Sequence, residues 1–444
     1  MRALDKEILR LALPSILANL TVPLVGMVDI AIAGHLDTSA AALIGGISVG
    51  ALMFDMLYWN FGFLRAGTGG MTAQAYGRGD AAGCAANLRR GVRTAFLLSL
   101  LLLAVQWPFE QLIFLFVHCS EEVKALTITY FRIRIWAAPA TLSLMAIRGW
   151  FVGMQDTFSS MLTDVVVNAG NILASLVLAL GMPGTGFRGI GYAGIAWGTV
   201  IAQYSGLLLA AAILLCKYRS TLQQKAKEEA FPLSAYFRIN RDLFIRSLCL
   251  MSVYLAYTAL AARQGDLLLA MCSVMMKLMM VFSYFTDGFA FAGEALTGRF
   301  VGSHEPHRIE EATRRTFLWS MGVGLVFVGI YAVFGIPLFR MMTSDGAVVE
   351  AARAYIPWLA LIPLLGCPTF TWDGIYIGAT ATREMRDSNL GCVAAFFMTW
   401  WIGGLFVPQA GTARVHLLFA AYYAHLLFRS LYQTIRYKKA VLER

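Results

Sequence analysis

The chain has 444 residues, 58% of them hydrophobic and only 14% charged, with a net charge of +10 and a mean hydropathy of +0.65. A water-soluble domain of this length carries far more charge, so the composition excludes an ordinary soluble enzyme and points to lipid as the solvent. The basic excess has no soluble domain to rest on, which removes nucleic acid as a partner and leaves topology and anionic lipid headgroups to account for it.

Apolar runs long enough to cross a bilayer follow one another with short polar breaks. Twelve are expected, at about 8–33, 41–76, 92–117, 123–152, 158–181, 190–216, 243–264, 267–302, 315–340, 348–377, 388–407 and 412–436. They read as α-helices because no alternating ten-residue strand pattern occurs. The first span lacks a small-residue cleavage site and is too long for a signal peptide. It carries Pro14, Pro23 and Asp29, the last within Val-Gly-Met-Val-Asp-Ile-Ala-Ile-Ala-Gly. No Lys or Arg is within reach of Asp29 along that helix. Pro23 lies about 9 Å down the axis, weakens the helix there and permits a bend; Pro14 is a second candidate bend. A charge at mid-helix costs roughly 2.5–3.5 kcal/mol, so Asp29 reads either as a functional group or as an interfacial aspartate near the end of its span. Arg132, Arg134 and Arg148 are charges within the fourth span.

In the fifth span, Asp164, Asn168, Asn171 and Ser175 are spaced 4, 3 and 4 and share one helix face. Such a stripe either ties helices together or lines a cavity. Thr199 in the sixth span offers another oxygen, among Gly191, Gly194 and Gly198, which permit close helix approach. The polar break that follows divides the chain into a six-helix bundle over 1–216, a linker over 217–241 and a second six-helix bundle with a basic tail over 242–444. In the second half, Lys277, Asp287 and Glu294 share one apolar segment, readable as a stabilising ion-pair network or as an acidic surface facing substrate. Arg246 reads as an interfacial charge, and Asp373 falls in the lower part of the tenth span.

The halves repeat. Gly149–Gly153 (Gly-Trp-Phe-Val-Gly) returns 225 positions later as Gly374–Gly378 (Gly-Ile-Tyr-Ile-Gly), and the same offset carries Thr72 to Thr297, Gly77 to Gly302 and Tyr130 to Tyr355. Duplication in so apolar a chain marks a transporter with its site between related halves. Six spans per half make both halves enter from the same side, with the pseudo-twofold axis along the membrane normal. Counting Lys and Arg in the loops gives 24 on the side of the termini, five of them from Arg429 onward, against six on the other. Both termini are therefore expected in the cytoplasm.

The seven cysteines are scattered without a CxxC and read as small apolar packing residues. Gly184–Gly189 fits GxGxxG but follows no strand, and His304 and His307 sit in a charged loop. No phosphate-binding loop occurs, so ATP is not the energy source in this chain, and the six histidines form no cluster with acids or cysteines that would suggest an enzyme.

At these residues the chain resembles the multidrug and toxic compound extrusion (MATE) family, and within it the DinF-like branch. The resemblance runs through the first helix (Leu-Ala-Leu-Pro-Ser-Ile and Val-Asp-Ile-Ala-Ile-Ala-Gly-His-Leu), Met71–Gly77, Asn240–Asp242 with Ile245–Leu248, Asp287–Ala290 and Asp373–Thr380. It implies two pseudo-symmetric six-helix bundles forming a V, and export of amphiphilic, often cationic compounds by proton or sodium antiport. On matching positions, Asp29 is the family's coupling aspartate, Asn171 its fifth-helix asparagine and Thr199 its sixth-helix threonine. One position departs from the pattern: Ser175 stands where the family usually carries a second aspartate. The seventh span also has no acid between Leu243 and Ala262. Both features favour protons over sodium as the coupling ion, with Asp29 the proton switch. The expectation is a monomeric secondary exporter in the inner or plasma membrane, with no cofactor, contacting small amphiphilic or cationic molecules and membrane lipids. The alternative is a lipid-linked oligosaccharide flippase of the same superfamily, which a cavity rich in arginine, from Arg132, Arg134 and Arg148, would favour.

Overall fold

The computed structural model describes residues 3–36, 40–115, 117, 119–182, 184–224, 233–408 and 411–443, and among them it is almost entirely helical. Residues 225–232 of the expected linker lie outside the described residues. Among the described residues, ten helical segments are long and apolar enough to cross a membrane: α1 Ala3–Gly34, α2 Ala40–Gly77, α3 Ala81–Phe114, α4 Glu121–Gly153, α5 Thr157–Leu180, α6 Tyr192–Lys217, α7 Leu233–Ala262, α8 Asp266–Gly302, α9 Pro306–Met342 and α10 Gly346–Gly378. Two more long helices follow, α11 Thr382–Gly404 and α12 Thr412–Tyr437, whose sequences are more polar. α7 begins ten residues before the expected seventh span. The early start is explained by burial of Ala235, Tyr236, Ile239 and Asn240, which gives the added turns a packed face.

Local chemistry sets the helix ends. Asp80 caps α3 by accepting a hydrogen bond from Gly83 N at 2.7 Å, and Asp156 caps α5 by accepting from Ser159 N at 3.2 Å. Single 3-10 turns interrupt α4 at Ile135–Ala137 and α10 at Arg353–Tyr355, each just before a proline that cannot donate to the preceding turn.

The repeat is visible in the backbone. The only described non-glycine residues with positive φ are Gln155 (63°), His304 (57°) and Thr380 (53°), and Gly79 has φ 70°. Offset by 225, Gly79 falls on His304 and Gln155 on Thr380. The corners after α4 and α10 close with the same bond, Asp156 N to Phe151 O and Ala381 N to Tyr376 O, both 2.9 Å, as helix ends with a left-handed residue do.

Glycine contacts repeat as well. A Cβ on Gly149 would collide with the backbone oxygen of Arg65, and one on Gly374 with that of Ala290, which is Arg65 moved by the same offset. Gly77 meets the Arg299 carbonyl while Gly302 meets that of Gln74. The second contact is the first with its partners exchanged under the same offset. Gly374→Val is expected to cost about 1–3 kcal/mol or more through overpacking, whereas Gly322→Val, with nothing within 4 Å, should be neutral. Thermal melting of the two purified variants checks this.

In packing, the described residues form two compact units. One comprises Leu17–Thr72 with α3 to α6, around a core that includes Leu144, Trp150, Phe151 and Val167. Trp150 Nε1 donates to Cys84 O at 2.8 Å. The other comprises the chain up to Ile16, Ala73–Gly79 and α7 to α12, around a larger core built on Met271, Phe282, Tyr331 and Leu359. The start of α1 joins it through close contact of Ile16 and the Ala12 carbonyl with Gly288, an Arg299–Glu7 ion pair and a hydrogen bond from Trp319 Nε1 to Asp5. Gln74 donates to Gly378 O and Thr380 Oγ1 at 3.0 and 3.1 Å. All seven cysteines are free thiols, five of them buried.

At the corner between α4 and α5, Asp156 is buried, which by itself raises its pKa. Hydrogen bonds from Lys217 (2.8 Å), Ser159 and Tyr218 outweigh this and hold it below the usual carboxylate value. A folded-state pKa below the unfolded one contributes stability that is full above about pH 4 and is lost as pH falls through the folded value. Asp156→Asn should therefore lower the melting temperature at pH 7 and narrow the difference from wild type as the solution is acidified.

Candidate functional site

α1 exposes most of its second half, with Val22, Leu24 and Met27 each at least half exposed, yet Asp29 in the same stretch is only 5% exposed. The helix turns its acid inward. Around it stand side chains from α4, α5 and α6 of the same unit: Tyr130, Asn171, Ser175 and Thr199, all buried. Ser175 Oγ is within hydrogen-bond reach of the Asp29 carboxylate and of the Ile195 carbonyl, the latter at 3.3 Å. Asn171 Nδ2 donates to Thr199 Oγ1 at 2.9 Å, and Thr199 also reaches Tyr130. Asn168 is half-buried and donates to Thr21 on α1 at 2.5 Å, so it ties α5 to α1 about two turns away from the acid.

Close packing makes room for this arrangement. A Cβ on Gly50 of α2 would collide with the Tyr130 ring, and one on Gly198 of α6 with Ser175. Small residues let the helices approach until polar groups meet. Two acceptors are left over: Asp29 Oδ1 and Asn171 Oδ1 are buried and have no hydrogen-bond partner among the described residues. Buried polar atoms are rarely left so, because an unmade bond costs about 1–3 kcal/mol.

The cation nearest in effect to Asp29 comes from another helix, not from α1. Arg134, from α4, is close enough for its charge to act on Asp29 and on Asp55. Its guanidinium donates to Tyr130 Oη at 2.7 Å and lies over the Phe54 ring at 4.7 Å. Sequence distance hid this neighbour, since only the packing of α4 against α2 and α6 brings it near. The other two arginines of the fourth span are engaged elsewhere. Arg132 forms a two-pronged pair with Glu110, each bond 3.0 Å, and Arg148 pairs with Asp164 at 2.7 Å. Pro14 and Pro23 both fall within continuous α1.

The second-half candidates separate. On the straight axis of α8, Lys277 lies about 15 Å from Asp287 and about 25 Å from Glu294, out of reach of a direct pair. Lys277 is exposed, Asp287 half-buried and Glu294 fully buried. Asp373 has a partner set of its own. Both Arg246 and Arg429 donate to its Oδ2, and Gln433 approaches Oδ1 at 3.5 Å. Arg246 is thus an ion-pair partner where an interfacial charge was expected. Arg429, counted above as a loop cation, is 1% exposed and among the largest fully buried side chains. Its burial follows from facing the Asp373 carboxylate across α10 and α12.

A bundle of membrane-crossing helices with a buried acid and orphaned oxygens defines a polytopic membrane protein of the transport class. The chain belongs to the MatE family, whose model matches residues 14–179 and 243–396. It is 33% identical over 434 residues to DNA damage-inducible protein F of Escherichia coli (strain K12), covering 96% of this chain and 90% of that protein. It is 25% identical to a probable multidrug resistance protein NorM of Rhizobium meliloti (strain 1021), over 89% of this chain and 84% of that one. Its fold matches a crystal structure of MATE in the bent conformation with a TM-score of 0.83 at 16% identity, over all of this chain and 97% of that one. The Vibrio cholerae MATE transporter VcmN in the bent form matches with a TM-score of 0.81 at 17% identity, over 99% and 97%.

Proposed function

We propose that the protein is a secondary active exporter of the inner or plasma membrane, with both termini cytoplasmic. On this reading it expels small amphiphilic compounds, cationic ones among them, in exchange for protons, and Asp29 carries the proton. The two orphaned acceptors support this most directly: Asp29 Oδ1 and Asn171 Oδ1 lie in one buried cluster without donors. A proton on Asp29 supplies a donor to that cluster and removes a charge from it. Arg134 then keeps Tyr130 and Asp55 as partners, and α1 is free to shift near Pro23. Loss of the proton restores the attraction between Asp29 and Arg134 and resets the helix. Asn168, Asn171, Ser175 and Thr199 serve as the polar wall that registers the change.

Arg134 also favours protons over sodium. A guanidinium acting on the same carboxylate repels a second cation, and Ser175 withholds the extra carboxylate that a metal ion would want. An oligosaccharide-lipid flippase gains little, because Arg132 and Arg148 are neutralised by Glu110 and Asp164.

Cells carrying the protein should accumulate less ethidium than cells without it. The difference should vanish when a protonophore collapses the proton gradient and persist when sodium is omitted. Equal accumulation in both cell types would refute export, and dependence on sodium would refute the proton.

A further inference from the structure

Lys277 sits deep in α8, eleven residues from the Asp266 end, which is about 16 Å along the axis. That end is marked by Arg263 and Asp266 and opens the apolar run, so Lys277 lies near mid-membrane, beyond the reach of snorkelling. It is exposed and makes no hydrogen bond or ion pair with any described residue. A lysine there is costly against lipid and is tolerated where it faces a polar cavity. Lys277 lines a cavity of about 150 Å³ whose wall mixes the polar Tyr254, Tyr257, Thr258 and Ser273 with the apolar Leu269 and Met276. The acids flanking it on α8, Asp266 and Asp287, are about 16 and 15 Å away along the helix, and α7 offers none between Leu243 and Ala262. The repeat sharpens the point. The 225-residue offset carries Asp29 to Tyr254, so equivalent regions of the two halves bear an acid in the first and a base in the second.

We infer that this cavity is a substrate subsite for the anionic end of an amphiphile, a carboxylate or sulfonate on a small ring. The ammonium of Lys277 takes the charge and Tyr254 and Tyr257 supply aromatic walls. A cavity near 150 Å³ holds one six-membered ring, so the subsite takes the head of a molecule and leaves its body outside. This rests on the exporter reading above and extends it from cationic substrates to anionic or zwitterionic ones.

The test uses the full chain in lipid nanodiscs and two tritiated probes with one body and opposite charges, naphthalene-2-sulfonate and 2-naphthyltrimethylammonium. Empty nanodiscs supply the background in equilibrium dialysis. Lys277→Gln and Lys277→Met should each weaken sulfonate binding by about tenfold or more, the scale of a lost charge-assisted contact, and leave the ammonium probe unchanged. Lys277→Arg should keep the preference for sulfonate, and Lys277→Glu should reverse it. Sulfonate binding that is absent in wild type, or unaltered in both neutral variants, would overturn the inference. Equal loss of both probes would also overturn it, by making the lysine structural. Ethidium efflux separates the two claims: efflux that persists while sulfonate affinity ignores Lys277 sinks the subsite alone. Sulfonate affinity that follows Lys277 in a protein exporting nothing sinks the exporter reading alone.

Discussion

Asp29→Asn should reach the membrane in wild-type amounts, melt at nearly the wild-type temperature, and export drug no better than cells lacking the protein. The amide has the size of the protonated acid and offers its own donor, so the buried cluster of Asn171, Ser175 and Thr199 keeps a polar neighbour and the fold loses little. What it cannot do is change charge. Arg134 would then face a permanently neutral group, and the attraction that resets α1 would be gone. The loss should therefore be a loss of coupling: passive exchange of bound drug persists while uphill export falls to background. A variant that folds and still exports against a gradient at the wild-type rate would move the coupling out of α1.

Asp373→Asn should do something different, and to the fold. Its carboxylate lies between Arg246 and Arg429, and Arg429 is almost wholly enclosed. Removing the acid takes from both cations the carboxylate that they share, and Arg429 stays enclosed without it. Stranding a buried charge costs about 3–5 kcal/mol, so expression and melting temperature should both drop sharply. Arg429→Met should cost less, because Asp373 keeps Arg246, and the double variant Asp373→Asn with Arg429→Met should recover most of the loss. This ordering separates a structural cluster from a coupling site. Were Asp373→Asn to melt like wild type and lose only export, the cluster would be part of the transport cycle.

Much of this was legible in the sequence because it depends on periodicity and spacing. Runs of apolar residues placed the helices, and the 225-residue offset anticipated the paired corners at Gln155 and Thr380 and the paired glycine contacts at Gly149 and Gly374. The spacing of Asn171 and Ser175 put them on one face of α5. Periodicity assigns a face but not the neighbour it meets, so Arg134 could not be matched to Asp29 across 105 positions. Charge counting likewise treats every arginine beyond an apolar run as solvated. Arg429 defeats that rule because its partner, Asp373, lies 56 residues away on another helix. Lys277 escaped in the opposite sense, since shared helix face suggested acids as partners and the rise of the helix keeps them too far apart.

The central claim is that substrate export and proton entry are one exchange passing through Asp29. Proteoliposomes carrying the full chain, loaded with a pH-sensitive dye and given ethidium from the transport side, test it most directly. Ethidium-driven proton flux is expected in wild type, under an imposed proton gradient and without sodium, and no such flux with Asp29→Asn. Ethidium-driven flux that needs sodium, or proton flux that survives in Asp29→Asn, would contradict it.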